Sequence, residues 1–190
     1  MILDGRKALE NVLEDMGQFI AERLIAKTTI WIHPEIYQII RSETNPTACF
    51  FKNSRRAKRD EKVRTRTADG IFLDSNECAI QTMKQCTGDR AVPHSYTTCH
   101  IHKSTTYDTL YHTCVANIVW VPAAIASLTD GEHKNVGDML KRQAYELYDG
   151  FYIGEVPPKP VFWDNIDWQD VREPTKAVIR RVKNKFNKPK

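Results

Sequence analysis

The alternation of hydrophobic and polar residues changes its period twice between residues 96 and 128. Residues 96–101 and 115–121 are rich in β-branched and aromatic side chains, which predicts two strands separated by a long polar loop. Pro122 closes the second strand, and the apolar run AAIASL that follows it predicts a short helix. This strand–strand–helix unit is the stretch around which the rest of the chain is organised.

Helical periodicity dominates the remaining segments. Residues 6–26 place their apolar side chains on one face, which predicts a packing helix that could also pair two copies of the chain as a homodimer. This face comprises Leu9, Val12, Leu13, Met16, Ile20 and Leu24. Further helices are predicted at 34–41, at 133–148 and after Pro174. Strands and helices together predict an α+β fold in which a small core lies within a mainly helical single domain.

One further helix has both a start and a stop signal. Asp74 can cap its first turn, with Glu77 three residues later as in a capping box. Gly88 can end the helix because glycine readily adopts the left-handed conformation. A short strand is predicted at 71–73, directly before the helix.

Length and composition restrict the class of protein. A chain of 190 residues with 41% hydrophobic content is long enough for one core with appendages. We divide it into an N-terminal helical segment (1–48), a central core with a basic loop (49–150) and a C-terminal extended segment with a basic helix (151–190). No apolar run approaches the length of a membrane span, and the N-terminus does not have the pattern of a signal peptide. Five cysteines without framework spacing favour a reducing, cytoplasmic location.

Positive charge is concentrated in two segments. Residues 52–66 hold eight Lys and Arg against two acidic residues, and residues 172–190 hold eight against one. This pattern predicts a nucleic-acid partner, DNA in the first instance, although basic tails can also simply maintain solubility. The first run is either an exposed loop or a β-hairpin with its basic face outward. Its candidate phosphate contacts are Lys52, Arg55, Arg56, Lys58, Arg59, Arg64 and Arg66.

The strand–strand–helix stretch carries the candidate chemistry. Phosphodiester hydrolysis requires a base to deprotonate water and positive charge to offset the charge that develops on phosphate. His100 ends the first predicted strand, and a neutral imidazole can act as that base. Asn117 lies near the start of the second strand and could face His100 in a hairpin, where its amide could orient the histidine or the loop.

These residues resemble the HNH, or ββα-metal, family of nucleases. The resemblance rests on Cys99-His100-Ile101, on Asn117-Ile118-Val119 leading to Pro122, and on the helix that follows. The chain is similar to a set of uncharacterised bacterial HNH-like proteins, over about residues 70–150. The resemblance implies a ββα-metal core, with His100 as general base and Asn117 as positioning residue. It also implies Asp130 or His133 as a metal ligand.

The chain departs from the family pattern at one position. The family has an acidic metal ligand directly before the histidine, and here that position is Cys99. A thiolate prefers softer ions than magnesium, so the bound divalent ion could be Mg, Mn, Ni or Zn. His102, two residues after His100, would share its face of the strand and could replace the missing ligand. His112 in the loop could contact phosphate or metal, or pack within the turn.

The function predicted from these features is a metal-dependent DNA endonuclease in which His100 activates water. The alternative is a catalytically inactive nucleic-acid-binding module on the same scaffold, since Cys99 replaces the acid. A third hypothesis is a regulatory protein whose histidines bind zinc without hydrolysis.

Overall fold

The structure is a computed structural model, and it describes residues 19–129 and 134–186. Its α-helices are α1 (Ile20–Thr28), α2 (Pro34–Ile40), α3 (Glu77–Thr87), α4 (Lys134–Leu147) and α5 (Lys176–Phe186). Its strands are β1 (Ser54–Arg56), β2 (Thr65–Arg66), β3 (Phe72–Asp74), β4 (Tyr96–His100) and β5 (Ile118–Pro122). The described residues form an α+β fold, as the sequence predicts. Within these ranges, no helix is long and apolar enough to cross a membrane.

The predicted helices are largely confirmed where the structure describes them. α1 is the C-terminal part of the helix predicted at 6–26; the proposed dimer face before Phe19 lies outside the described residues. α2 starts at Pro34, and His33 caps it by accepting the backbone N–H of Glu35 on Nδ1 at 3.2 Å. α3 ends at Gly88 with φ 87°, where an added Cβ would lie 2.7 Å from Val178 Cγ2.

The basic run forms neither a free loop nor a simple hairpin. β1 and β2 do not pair with each other, because β3 lies between them, parallel to β1 and antiparallel to β2. Leu73 of β3 is buried and draws both basic strands onto the body of the protein. The parallel pairing places Arg56 opposite Asp74 in register, which brings the basic run beside the start of α3.

The predicted hairpin is confirmed. β4 and β5 pair antiparallel, with His100 opposite Ile118 and Thr98 opposite Trp120. β5 carries four consecutive buried residues, Ile118 to Val121, because both of its faces are covered. The buried indole of Trp120 donates to Thr98 Oγ1 at 2.9 Å, so its polar atom is satisfied within the hairpin.

The segment after β5 differs from the prediction. Residues Ala123–Thr129 form a 3₁₀-helix rather than an α-helix. Ile125 and Leu128 are both buried, and the three-residue period of a 3₁₀-helix places them on one face. The described hairpin is therefore followed by 3₁₀ structure, and α4 begins only after residues 130–133.

One hydrophobic cluster receives residues from all three predicted segments of the chain. Ile32, Trp120 and Val182 are all completely buried in it. α5 packs against α2 and α3 through its apolar stripe, Val178 and Val182. Its basic residues are exposed, and one of them, Lys185, lies over the rings of Phe50 and Phe51.

Candidate functional site

His100 lies at the end of β4 and lines a pocket of about 280 Å³. Only 5% of the residue is exposed, so the pocket is its route to solvent. The other lining residues come from β1, the start of α3, β4 and the loop after it: Arg56, Asn76, Thr98, Cys99, Lys103, Thr106 and Tyr107. A partly enclosed polar pocket with one imidazole is a suitable place for proton transfer.

The hydrogen bonding of His100 fixes its tautomer. Its Nε2 lies 2.8 Å from the backbone carbonyl oxygen of His112. Because a carbonyl can only accept, Nε2 carries the proton, and Nδ1 of the neutral ring has the lone pair. Burial lowers the pKa of His100 to about 4, with nearby Arg56 acting in the same direction. The imidazole is therefore neutral at pH 7 and able to accept a proton on Nδ1.

A buried histidine and a buried carboxylate support His100 from behind. The rings of His100 and His112 are stacked, with centroids 5.3 Å apart and planes 13° apart. His112 Nε2 donates to Asp74 Oδ2 at 2.8 Å, and both side chains are almost completely excluded from solvent. We call these three residues the Asp74–His112–His100 array. It holds the ring of His100 in one orientation.

Asp74 also connects the array to α3. Its carboxylate accepts the backbone N–H groups of Glu77 at 3.1 Å and Cys78 at 2.9 Å, so it caps the helix as predicted, but from two residues before the N-cap position, which Asn76 occupies. The predicted capping box is not formed, because Glu77 is the first helical residue and its side chain approaches Arg64. Burial raises the pKa of Asp74, but the hydrogen bonds from His112 and from these backbone groups outweigh it and leave the pKa below its usual value. Asp74 is therefore ionised at neutral pH.

His112 is not placed for the phosphate contact considered from the sequence. The residue is completely buried, and its ring lies between His100 and Asp74. A phosphate group cannot reach a side chain with no exposed surface. The turn-packing alternative agrees with its position.

Asn117 organises the loop between the two strands. Its Oδ1 accepts the backbone N–H of His102 at 2.8 Å, and its Nδ2 donates to Thr105 Oγ1 at 3.0 Å and to the carbonyl of Tyr111 at 3.1 Å. The side chain is completely buried, so these bonds replace all of its contacts with water. Asn117 thus positions the loop that carries the backbone carbonyl of His112, and through it His100.

The candidate metal ligands are not brought together among the described residues. Burial raises the pKa of the Cys99 thiol, which favours the protonated form over the thiolate that binds metals. The strand ends at His100, so the alternation expected to place His102 beside it does not continue. His102 instead lines a different pocket, of about 660 Å³, and packs against Phe151.

Two further predicted ligands, Asp130 and His133, lie outside the described residues. Across 19–129 and 134–186, no group of three or more His, Cys, Asp or Glu residues is arranged to hold a metal ion. The Arg56 guanidinium, which lines the His100 pocket, repels a divalent cation. The donor set described at this pocket therefore does not fit a divalent ion.

The buried histidines predict a dependence of stability on pH. Burial lowers the pKa of both His100 and His102 to about 4, and Lys141 adds to the effect at His102. The unfolded chain, with histidine pKa values near 6.5, then binds more protons between about pH 6.5 and 4. The free energy of unfolding should fall as the pH falls through this range, by up to about 1.4 kcal/mol per pH unit for each histidine.

Urea unfolding at several pH values between 7 and 4 measures this loss. The variant His102→Asn removes one of the two groups and should flatten the dependence, because only the backbone N–H of His102, not its ring, bonds Asn117. An unchanged slope in the variant would contradict the assigned pKa of His102.

The structure divides the seven basic residues predicted to bind phosphate. Arg55 is 13% exposed in its side chain and forms two hydrogen bonds with Glu61, at 2.7 and 2.5 Å. This bidentate pair folds the loop after β1 and withdraws Arg55 from any interface. The other six are exposed: Lys52, Arg56, Lys58, Arg59, Arg64 and Arg66. Only Arg56 among the seven lines the His100 pocket.

Some of these exposed residues already have intramolecular contacts. Arg64 approaches Glu77 at 3.3 Å, Arg66 donates to the carbonyl of Gly70 at 2.7 Å, and Lys52 donates to the carbonyl of Thr44 at 3.1 Å. Exposed contacts of this kind contribute little to stability and can be exchanged for contacts with phosphate.

Sequence reasoning missed three residues of the site. Asp74 was recognised only as a helix cap, and its pairing with His112 is a long-range contact without a local signal. Asn76 lines the pocket, and its buried Oδ1 has no hydrogen-bond partner within the described residues. Tyr107 lies at the same pocket and is 47% exposed. An exposed tyrosine in a polar loop was the one available signal.

The comparisons with known proteins leave the site to be interpreted from its own geometry. No protein-family model matches the chain. A search of curated proteins and a search of solved structures likewise returned no match.

Proposed function

We propose that this chain cleaves phosphodiester bonds in nucleic acid, with His100 as the general base. The observation that supports this most is the Asp74–His112–His100 array, which fixes a neutral imidazole, with its lone pair on Nδ1, on a residue that lines the same pocket as Arg56. Beyond its role as a helix cap, the buried Asp74 carboxylate lies behind a stacked histidine pair that borders a pocket, an arrangement suited to orienting a reacting group.

The chemistry assigned to each residue follows from its position. His100 accepts the proton of the attacking hydroxyl on Nδ1, and the Arg56 guanidinium offsets the negative charge that develops on the phosphate oxygens. The His112 ring and Asp74 hold the imidazole in place, and Asn117 fixes the loop on which His112 lies. These last three are positioning residues, since none of them has exposed side-chain surface at the pocket.

The proposal includes the relation to HNH nucleases. The β4–β5 hairpin, His100 at the end of its first strand and Asn117 directly before its second agree with the arrangement that the resemblance implies. The divalent ion that the family uses remains a prediction, because Asp130 and His133 lie outside the described residues. The described donor set does not fit such an ion, and the steps proposed above involve only the chain's own residues.

Basic surfaces could bring a polyanion to the pocket. Exposed residues of the run 52–66 adjoin the pocket through Arg56, and α5 exposes further lysines and arginines on its outer side. Such contacts position the nucleic-acid backbone without reading its sequence. DNA, the partner predicted from the sequence, remains a proposal on the same grounds.

A second candidate function is a nucleic-acid-binding module without catalysis. It is favoured by one observation: Cys99 stands where the family has its acidic ligand, and burial keeps its thiol protonated. The same basic surfaces would serve this function. Both functions predict salt-sensitive binding, but this one predicts no strand cleavage under any condition.

Adjacent arginines provide a matched test of the proposed function. Labelled DNA and RNA are incubated with the wild-type chain, Arg56→Ala and Arg55→Ala, with and without added Mg, Mn, Ni or Zn. We expect cleavage by the wild type, and we expect Arg56→Ala to bind more weakly, with the slope of log K against log salt reduced by about 0.7–0.9 through loss of one phosphate contact. Arg55→Ala should keep the binding slope, since Arg55 pairs with Glu61, and lose only stability.

The two candidate functions give different results in this assay. Binding that is reduced in Arg56→Ala, without cleavage of any substrate, would favour the inactive module. Equal slopes for the two variants would place the His100 pocket away from the nucleic acid and contradict both proposals.

A further inference from the structure

The charged groups at the His100 pocket pose a problem for water as the nucleophile. Hydrolysis of DNA requires water to be activated and the leaving oxygen to be stabilised, tasks that a bound cation usually performs. Among the described lining residues, the guanidinium of Arg56 carries positive charge, and none of them is a carboxylate. The lining therefore matches the charge of a phosphate rather than that of a metal ion.

A substrate that carries its own nucleophile removes this problem. In RNA, the 2′-hydroxyl lies next to the phosphorus atom, so the reacting groups are already in one molecule and the entropic cost of positioning a water is avoided. What such a reaction requires from the protein is a neutral base beside the sugar and positive charge beside the phosphate. His100 and Arg56 line the same pocket and supply these two groups.

We propose that the His100 pocket cleaves RNA by transesterification, using the 2′-hydroxyl of the substrate as nucleophile and requiring no bound divalent ion. This inference rests on the proposed phosphodiester cleavage and names its substrate class.

The reaction uses only His100, the substrate and solvent water. His100 Nδ1 takes the proton of the 2′-hydroxyl while the bond between the 2′-oxygen and phosphorus forms. The bond between phosphorus and the 5′-oxygen breaks, and that oxygen takes a proton from solvent water. His100 then returns its proton to solvent. The products are a 2′,3′-cyclic phosphate and a free 5′-hydroxyl, and no oxidant or cofactor is consumed.

The shape of the pocket favours single-stranded RNA. Its volume of about 280 Å³ suits one phosphate with its sugar rather than a duplex. Tyr107 lines it with a ring that is 47% exposed, and exposed aromatic rings are the usual platforms for stacking unpaired bases.

The test uses three oligonucleotides that differ at one sugar. The first is a DNA strand with a single ribonucleotide, the second has 2′-O-methyl at that position, and the third is all DNA. Each is incubated with the full chain in EDTA and again with added Mg, Mn, Ni or Zn. We expect cleavage only after the ribonucleotide, in EDTA as well as with metal, at least about 100-fold faster than at the same position of the other two strands. The product should end in a 2′,3′-cyclic phosphate, identified by its mass.

Two variants serve as controls for misfolding of the protein and for a contaminating nuclease. His100→Gln, purified in parallel, should lose the cleavage, and Tyr107→Ala, an exposed position, should keep the maximal rate but raise the KM. Cleavage of the all-DNA strand with added metal, lost in His100→Gln, would overturn the RNA inference and leave the proposed function standing. No cleavage of any strand, or full cleavage by His100→Gln, would overturn both.

Discussion

Replacing His100 by glutamine is expected to lower the rate of phosphodiester cleavage by about 10²–10⁴-fold, the usual contribution of a general base. The glutamine amide can still donate to the carbonyl of His112, so the loop should keep its position. What the variant loses is the lone pair of Nδ1. Rates of cleavage of labelled nucleic acid, measured beside binding and thermal unfolding, separate loss of the base from loss of the fold.

The matched control is His94→Gln. His94 is exposed, outside the pocket, and its Nδ1 lies 2.8 Å from Ser95 Oγ. We expect its rate to equal that of the wild type within a factor of about two. Comparable rates for the two variants would remove His100 from the reaction and leave the binding module as the better account.

Replacing Asp74 by alanine is expected to have the largest effect on stability. The variant loses a helix cap, at a cost of about 0.5–2 kcal/mol, and leaves the buried Nε2–H of His112 unsatisfied, at a cost of about 1–3 kcal/mol. The free energy of unfolding should fall by about 1.5–5 kcal/mol, measured by urea denaturation. Asp69→Ala, at an exposed turn of the same region, should change it by less than about 0.5 kcal/mol.

Asp74→Asn separates the two roles of this carboxylate. An asparagine can still accept backbone N–H groups at the start of α3, so much of the cap is retained. It lacks the negative charge that holds His112, so the orientation of His100 becomes less defined. We expect a lower maximal rate of cleavage with little change in KM, and a smaller loss of stability than in Asp74→Ala. A full rate in Asp74→Asn would limit Asp74 to a structural role.

Local patterns in the sequence were sufficient for most of the fold. The β4–β5 hairpin, the α3 stop at Gly88 and the apolar stripe of α5 all follow from periodicity, caps and turn residues. His100 and Asn117 were identified in the same way, because their positions relative to the two strands are a local property.

The long-range contacts could not be predicted. β1 pairs directly with β3, in parallel, although β2 lies between them in the sequence. No local signal indicates this topology. Asp74 meets His112 only because β3 and the loop after β4 pack together, 38 residues apart in the chain. The sequence predicted that His102 would share the strand face of His100. This was wrong, because β4 ends at His100 and the alternation of its side chains does not continue to His102.

The three hydrogen bonds of Asn117 divide the inter-strand loop into a fixed part and a variable part. The bonds reach His102 at its beginning, Thr105 in its first turn and Tyr111 near its end. Between these anchors the side chains of Tyr107 and Leu110 are exposed, whereas the carbonyl of Asp108 accepts the backbone N–H of His112 at 2.9 Å and ties the tip to the residue that holds the imidazole. Evolution or a designer could exchange these two exposed side chains to favour a different base or strand geometry, and the backbone bonds that place the proton-accepting group would remain.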